Sequence, residues 1–187
     1  PHDAPAAEGH RLAQYQAWDM IAGKAWPQIG GRAPLLDIVG VNFYHNNQWI
    51  HGGPPLSYDH PLSRPLHAIL ADAYARYGRP IFIAETGIEG SARPAWFRMI
   101  LREVKIAQSL GIPVEGVCLY PILDHPGWDD DRYCPNGLLA CSPLESERIA
   151  HAALADVVGN CLLEIPSGEY LNDSTSVRGR TDCQHGT

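Results

Sequence analysis

The sequence predicts an α/β fold: a parallel sheet with helices packed on its outside. Three observations point there. Apolar, β-branched runs alternate with segments of helical periodicity in the order α-β-α-β-α-β-α. The runs around 35–44, 80–85 and 114–120 are nearly continuous in hydrophobicity, as strands covered on both faces are. Their starts near 37, 80 and 114 leave room for a helix and two loops between neighbours, which a parallel connection requires.

Residues 1–10 are rich in Pro and Ala and are expected to fray. From Arg11 to Ala25, Leu12, Tyr15, Trp18, Met20, Ile21 and Ala25 recur near helical spacing; Pro27, Gly30-Gly31 and Pro34 end that helix. The first strand, Leu35 to Tyr44, leads into His45–Arg64, a polar, aromatic, proline-rich stretch. Some twenty residues is long for a connection and reads as a binding or lid loop. Pro65 opens a helix that runs through Tyr77 and closes at Gly78. After the second strand, Pro94 starts a helix with Phe97, Ile100, Leu101, Val104 and Ala107 on its inner face, ended by Gly111. Beyond the third strand a loop of about two dozen residues leads to Pro143 and a helix to about Val158. The chain then turns Ser-, Gly-, Asn- and Thr-rich, so residues 1–164 are expected to form the folded domain and 165–187 a polar, disordered tail.

With 187 residues, 45% hydrophobic and 19% charged, the composition is that of a globular domain with one core. Fourteen Lys and Arg stand against 21 Asp and Glu, a net charge of −7 without a basic cluster, which argues against a nucleic-acid partner. No apolar run approaches the ~20 residues of a membrane span, so no membrane partner is expected. The five cysteines (Cys118, Cys134, Cys141, Cys161, Cys183) are odd in number and lack CxxC spacing. They signal neither zinc nor a disulfide framework and read as free thiols in a reducing, cytoplasmic setting. The chain begins at Pro1 rather than Met, so the lack of a leader carries no weight. An eight-unit barrel at this strand spacing needs roughly 250–350 residues. Three strands are therefore a piece of a barrel or a smaller open sheet.

In parallel α/β folds, ligands gather at the carboxyl ends of the strands. Standing there are Asn42-Phe43-Tyr44, Glu85-Thr86-Gly87, and Tyr120-Pro121 leading to Asp124, His125 and Trp128. Alternation puts Ile38, Gly40, Asn42 and Tyr44 on one face and Val39, Val41 and Phe43 on the other. The same rule groups Ile81, Ile83 and Glu85 opposite Phe82 and Ala84. Glu85 stands out, because a carboxylate closing the run PIFIA is costly to bury unless hydrogen-bonded or paired. The plainer alternative is a solvated strand end or an ion pair with an arginine. Trp49 and Trp128 either pack the long loops or offer flat faces to sugar rings. His45, His51, His60, His67 and His125 lack HxH or HExxH spacing, so no metal site and no cofactor is expected.

At these residues the chain resembles a known family. DIVGVNFYHNNQW (37–49), PIFIAETG (80–87) and GIPVEGVCLYPILDHPGW (111–128) resemble, in order, the last three strands of the retaining glycoside hydrolases of clan A. Family 1, the β-glucosidase family, is the nearest, with strand six reading D-F-I-G-x-N-Y-Y, strand seven I-T-E-N-G and strand eight W-S-L-L-D-N-F-E-W. The resemblance covers about residues 10–158 and implies a (β/α)8 TIM barrel of which this chain holds the C-terminal three βα units. It implies a carbohydrate substrate, with Glu85 as the catalytic nucleophile and Tyr44 as its hydrogen-bonding partner. Asn42, Tyr120, Asp124 and Trp128 match sugar-site positions, and Trp49 on the loop joins them as a candidate. Thr86 replaces the Asn after the nucleophile, and Gly127 replaces a Glu that contacts sugar hydroxyls, which departs from a glucose-specific pattern. Where the family tends to a non-proline cis peptide, this chain has Tyr120-Pro121, expected cis.

Retaining hydrolysis needs two carboxyl groups about 5–5.5 Å apart, one attacking the anomeric carbon and one protonating the leaving oxygen. In clan A the second follows strand four in an Asn-Glu pair, and no Asn-Glu pair occurs in this sequence. Glu89, Glu145 and Glu147 are poor substitutes, the latter two being placed for a helix start. The 187 residues alone are therefore expected to be inactive, with self-association or the missing N-terminal half covering exposed strand edges. Two other readings stay open: a non-catalytic carbohydrate-binding or interaction module, and a metal-assisted hydrolase through His45, His51 and His125.

Overall fold

A computed structural model of the chain describes residues 3–141 and 148–163. Three parallel strands, β1 (Val39–Asn42), β2 (Ile81–Thr86) and β3 (Val114–Leu119), lie side by side in chain order. Helix α3 (Leu66–Tyr77) joins β1 to β2, and α4 (Arg93–Ser109) joins β2 to β3. Two helices, α1 (Ala4–Ala13) and α2 (Gln16–Ile21), precede β1, and α5 (Ala152–Leu163) packs on α4. This is a partial (β/α)8 barrel, the choice that the family resemblance implies and the strand pattern alone leaves open.

The core lies between one face of the sheet and helices α3 and α4. Val39, Val41, Phe43, Ile81, Ile83 and Val114 meet Leu66 and Leu70 of α3 and Trp96, Ile100 and Val104 of α4. Helix α4 forms because Trp96, Met99, Ile100, Val104 and Ala107 fall on one stripe at three- and four-residue spacing, and that stripe is buried. Helix α3 stops at Gly78, whose φ of 59° is the left-handed conformation that a side chain resists. Pro65 stands just ahead of α3 in extended geometry rather than inside its first turn. The opposite sheet face carries Gly40, Phe82 and Gly116; a Cβ on Gly116 would stand 2.6 Å from the Phe82 ring, so the ring lies over the strand. That face has no layer of its own chain over it among the described residues.

Several expectations are corrected. Residues 4–10 belong to α1 instead of fraying, and the helix expected over Arg11–Ala25 is broken at Gln14 and Tyr15. The break turns Tyr15 and Asp19 inward onto α3, where Tyr15 is buried. Strand β1 is shorter than the apolar run, because Ala33–Leu35 forms a 3-10 turn around Pro34. The last helix starts at Ala152, not after Pro143: residues 149 and 151 hydrogen-bond to Ala140 and Leu138, and the His151 ring accepts the amide of Leu154 as a cap. The expected helix start at Glu145 and Glu147, and the tail over 165–187, fall outside the described residues. The loop after β3 contains a short antiparallel pair, β4 (His125–Pro126) with β5 (Tyr133–Cys134), that the sequence pattern does not announce.

Two polar clusters fix the helix layer. The Asp19 carboxylate receives the Arg76 guanidinium at 2.9 Å and 2.5 Å and the Tyr77 hydroxyl at 2.8 Å, while the guanidinium lies 5.1 Å from the Tyr15 ring centroid. Glu103, buried on α4, accepts the His67 amide at 3.2 Å, pairs with the His67 ring at 2.7 Å and takes the Tyr58 hydroxyl at 3.4 Å. Its carboxylate thus ties the start of α3 and the 45–64 loop to α4.

The Arg76 hydrogen bond, with help from Tyr77, holds the Asp19 carboxyl below its usual value of 3.8. A depressed carboxyl stabilises the fold above its unfolded value and loses that contribution as pH falls through the folded one. Asp19→Asn is therefore expected to cost about 1–3 kcal/mol at pH 7, with the gap to wild type closing as pH drops below the range of ordinary carboxyls. Urea unfolding at stepped pH measures it.

Candidate active site

Strict alternation would send Glu85 to the same side as Ile81 and Ile83, which are wholly buried against the helices. The structure avoids this with one extra residue. Val41 pairs with Ile83 and Asn42 with Glu85, so Ala84 is bulged out of register. The bulge turns Glu85 to the open face, and Thr86 takes the inward position, fully buried. There the Trp96 indole N–H donates to the Thr86 hydroxyl at 2.9 Å, and the indole stacks on Phe43 at 5.8 Å and 9°. The face assignment read from alternation is thus wrong for Glu85, while the strand-end placement stands.

On the open face the Tyr44 hydroxyl donates to Glu85 Oε2 at 2.8 Å. Tyr44 is held from below by its own amide, which donates to Asn47 Oδ1 at 2.5 Å, and Glu85 by its carbonyl, which accepts the Phe43 amide at 2.9 Å. Burial first, and then the Glu85 carboxylate, push the Tyr44 phenol well above its ordinary value, so it stays a proton donor at any working pH. The third strand end closes in through Tyr120, whose amide donates to the Thr86 carbonyl at 2.9 Å. A Cβ on Gly87 would stand 1.9 Å from the Tyr120 carbonyl oxygen, so only glycine lets these strand ends approach. The Tyr120-Pro121 peptide is cis, as expected from the sequence. Tyr44, Glu85 and Tyr120 thus come together, with Cys118 nearby on the same side.

The other candidates lie apart. Asn42 is exposed and lines, with Trp49, a cavity of about 730 Å³ between α1 and the 45–64 loop that neither Tyr44 nor Glu85 reaches. Trp49 is 51% exposed, its ring edge-on to His10. Trp128 is 85% exposed and packs edge-on against His125. Asp124 departs most from the expectation of a ligand contact. It is buried, one oxygen taking the Tyr133 hydroxyl at 2.5 Å and the other the Gly137 amide at 2.6 Å, with Arg93 at 3.6 Å. In this arrangement it braces the β4–β5 loop that carries Trp128. Glu89 is clamped by both arms of Arg132 at 2.8 and 2.9 Å, and that pairing holds its carboxyl below the usual range.

The histidines do not assemble. Among the described residues no three His, Cys, Asp or Glu side chains come together as a metal site. His125 donates through Nδ1 to the Pro126 carbonyl and receives Asn136 at Nε2, while His45 lies edge-on to Trp96.

No protein-family model and no curated protein matches the sequence. Solved structures do. The fold they share with this chain is part of a (β/α)8 barrel. A β-glycosidase from Thermosphaera aggregans matches 70% of this chain at 23% identity and a TM-score of 0.53. A hyperthermophilic β-glucosidase mutant that forms a dodecamer in its crystal matches 83% at 20% identity and 0.60. The family 1 β-glucosidase from Thermotoga maritima matches 65% at 17% identity and 0.51. This chain spans only about a third of the length of these proteins, between 33% and 39%.

The pairing of Thr86 with Trp96 generates a test. Thr86→Val leaves a buried indole N–H without its acceptor and is expected to lower stability by about 1–3 kcal/mol, whereas Thr86→Ser keeps most of it. Denaturant unfolding of the two variants decides.

Proposed function

We propose that this chain is the part of a retaining clan A β-glycoside hydrolase that carries the nucleophile, corresponding to barrel strands six to eight. The observation that carries the reading is the 2.8 Å hydrogen bond from Tyr44 to Glu85 at the carboxyl ends of neighbouring parallel strands. A carboxylate so held leaves its second oxygen free to attack an anomeric carbon from the open face. Tyr44, always protonated, orients it and limits its basicity, while Tyr120 offers a ring beside the same spot. Trp49 and Trp128 would contact the sugar from the surrounding loops and Asn42 from the end of β1, and Asp124 would keep the Trp128 loop in place.

The second carboxyl has no counterpart in the sequence motif, since no Asn-Glu pair occurs in it. Glu89 lies nearest in sequence, but its bidentate pairing with Arg132 makes it a poor proton donor. Efficient turnover then awaits an acid/base from elsewhere, and the 187 residues alone are inactive toward ordinary glycosides. The clamped Glu89 also favours a second reading, a carbohydrate-binding module that retains the pocket without turnover.

An activated substrate separates these two. A 2-deoxy-2-fluoro-β-glycosyl fluoride needs no protonation of its leaving group, so a positioned nucleophile can form the glycosyl ester without the acid/base. Peptide mapping is expected to find the adduct on Glu85, absent in Glu85→Gln and formed about ten- to a hundredfold more slowly in Tyr44→Phe. Reversible sugar binding without any adduct, unchanged in Glu85→Gln, would favour the binding module instead.

A further inference from the structure

Helices α4 and α5 leave a cavity of about 420 Å³ between them. Small-molecule sites begin at roughly 300 Å³, so this one has room for a compact ligand. It belongs to the helix layer, on the other side of the sheet from the Tyr44–Glu85 pair. Arg98, Leu101, Arg102 and Lys105 of α4 form one wall, and their spacing of three, one and three residues makes them a single helical stripe. The only carboxylate along α4 is Glu103, which is buried and turned to His67 and Tyr58 instead. The charged side chains of the stripe are therefore all cationic, in a chain whose net charge is −7. Arg98 is exposed, and Arg102 is steadied by donating to the Tyr58 hydroxyl at 2.8 Å.

The rest of the cavity has a different chemistry. Leu101 and Val157 belong to the apolar cluster around Phe97 and Leu154, and they give it an apolar floor. Asp156 and Asn160 of α5 stand one turn apart on the wall facing the cations, a carboxylate and an amide. A ligand that suits all of this needs three parts: an anionic head, a flat apolar body and a polar edge.

Simpler anions fail one requirement each. Inorganic phosphate leaves the apolar floor bare. A sugar phosphate sets hydroxyls against Leu101 and Val157, which cannot bond them. A fatty-acid anion covers the floor but brings nothing for Asp156 and Asn160 to pair with. A nucleotide meets all three: its phosphate suits guanidinium and ammonium groups, its base is flat with a hydrogen-bonding edge, and its ribose diol donates to a carboxylate.

We propose that the groove between α4 and α5 binds a nucleoside monophosphate. Arg98, Arg102 and Lys105 hold the phosphate, the base lies on Leu101 and Val157, and Asp156 and Asn160 take the ribose hydroxyls and the base edge. The site is separate from the sugar-cleaving reading and does not depend on it.

Cys161 lines the same cavity and Cys118 is exposed outside it, which supplies a reporter and its control. The test alkylates the full 187-residue chain with iodoacetamide, titrates adenosine 5′-monophosphate, and reads each cysteine by peptide mapping. Saturating nucleotide is expected to slow alkylation of Cys161 about tenfold and leave Cys118 unchanged. Arg98→Glu, at an exposed side chain, is expected to raise the half-protecting concentration about tenfold without moving the melting temperature, and Asp156→Asn to raise it about threefold. Adenosine alone and inorganic phosphate alone are each expected to need about tenfold more than the nucleotide. No protection of Cys161 at millimolar nucleotide would overturn the proposal, as would protection that both variants leave unchanged. Equal protection by inorganic phosphate, pointing to a plain cationic patch, would overturn it too. Glu85→Gln is expected to leave the titration untouched, so this site and the nucleophile stand or fall separately.

Discussion

A strand that ends in Ile-Ala-Glu-Thr faces a conflict. The residue two past a buried isoleucine belongs, by the pleat, inside the hydrophobic layer, and a carboxylate there has no partner to offset its desolvation. One extra residue, Ala84, resolves it by rotating the strand end half a turn. Glu85 then emerges on the open side and a threonine goes in its place, its hydroxyl satisfied by the Trp96 indole. The position of the carboxylate, the reach of Tyr44 and the approach of Tyr120 across Gly87 all follow from that half turn.

The same geometry explains what was legible beforehand. The three strands, their order and the two crossover helices are written in apolar runs and glycine or proline punctuation, and those survive folding unchanged. The places of Glu85 and Tyr44 at strand ends were readable from the pattern, and their meeting came from the family resemblance. The side on which Glu85 emerges was not readable, because periodicity carries no mark of a bulge; the only hint is a threonine where a strand interior wants an aliphatic residue. The bracing role of Asp124 was not legible for another reason. Its partners, Tyr133, Gly137 and Arg93, are scattered along the chain, and only the folded loop gathers them. The early break at Tyr15 was likewise invisible, since the pull that turns the ring inward comes from α3, 57 positions later at Arg76 for the neighbouring Asp19.

The sheet is two-faced in a way that separates stability from chemistry. Its helix side holds the large aliphatic and aromatic residues and two internally satisfied carboxylates, Asp19 and Glu103. Its other side holds glycines, a single phenylalanine ring and the Tyr44–Glu85 pair. A chain built this way can keep its layer of helices intact while the opposite side changes its chemistry.

Glu103 gives that separation a boundary. By gripping Tyr58 and the first turn of α3 from the rear, it divides the long loop into two stretches of different character. The stretch from Ser57 onward is moored to the helical layer and inherits its rigidity. The stretch around Trp49 and His51 pairs within itself through Ile50 and Pro54, leans on the His10 ring of α1, and is joined to the moored stretch at its base by the Gln48–Arg64 hydrogen bonds. Side chains between Trp49 and Pro55 stand outside both the Gln48–Arg64 tie and the Tyr58 mooring, so new rim surfaces can be grafted there without re-engineering the body that bears them.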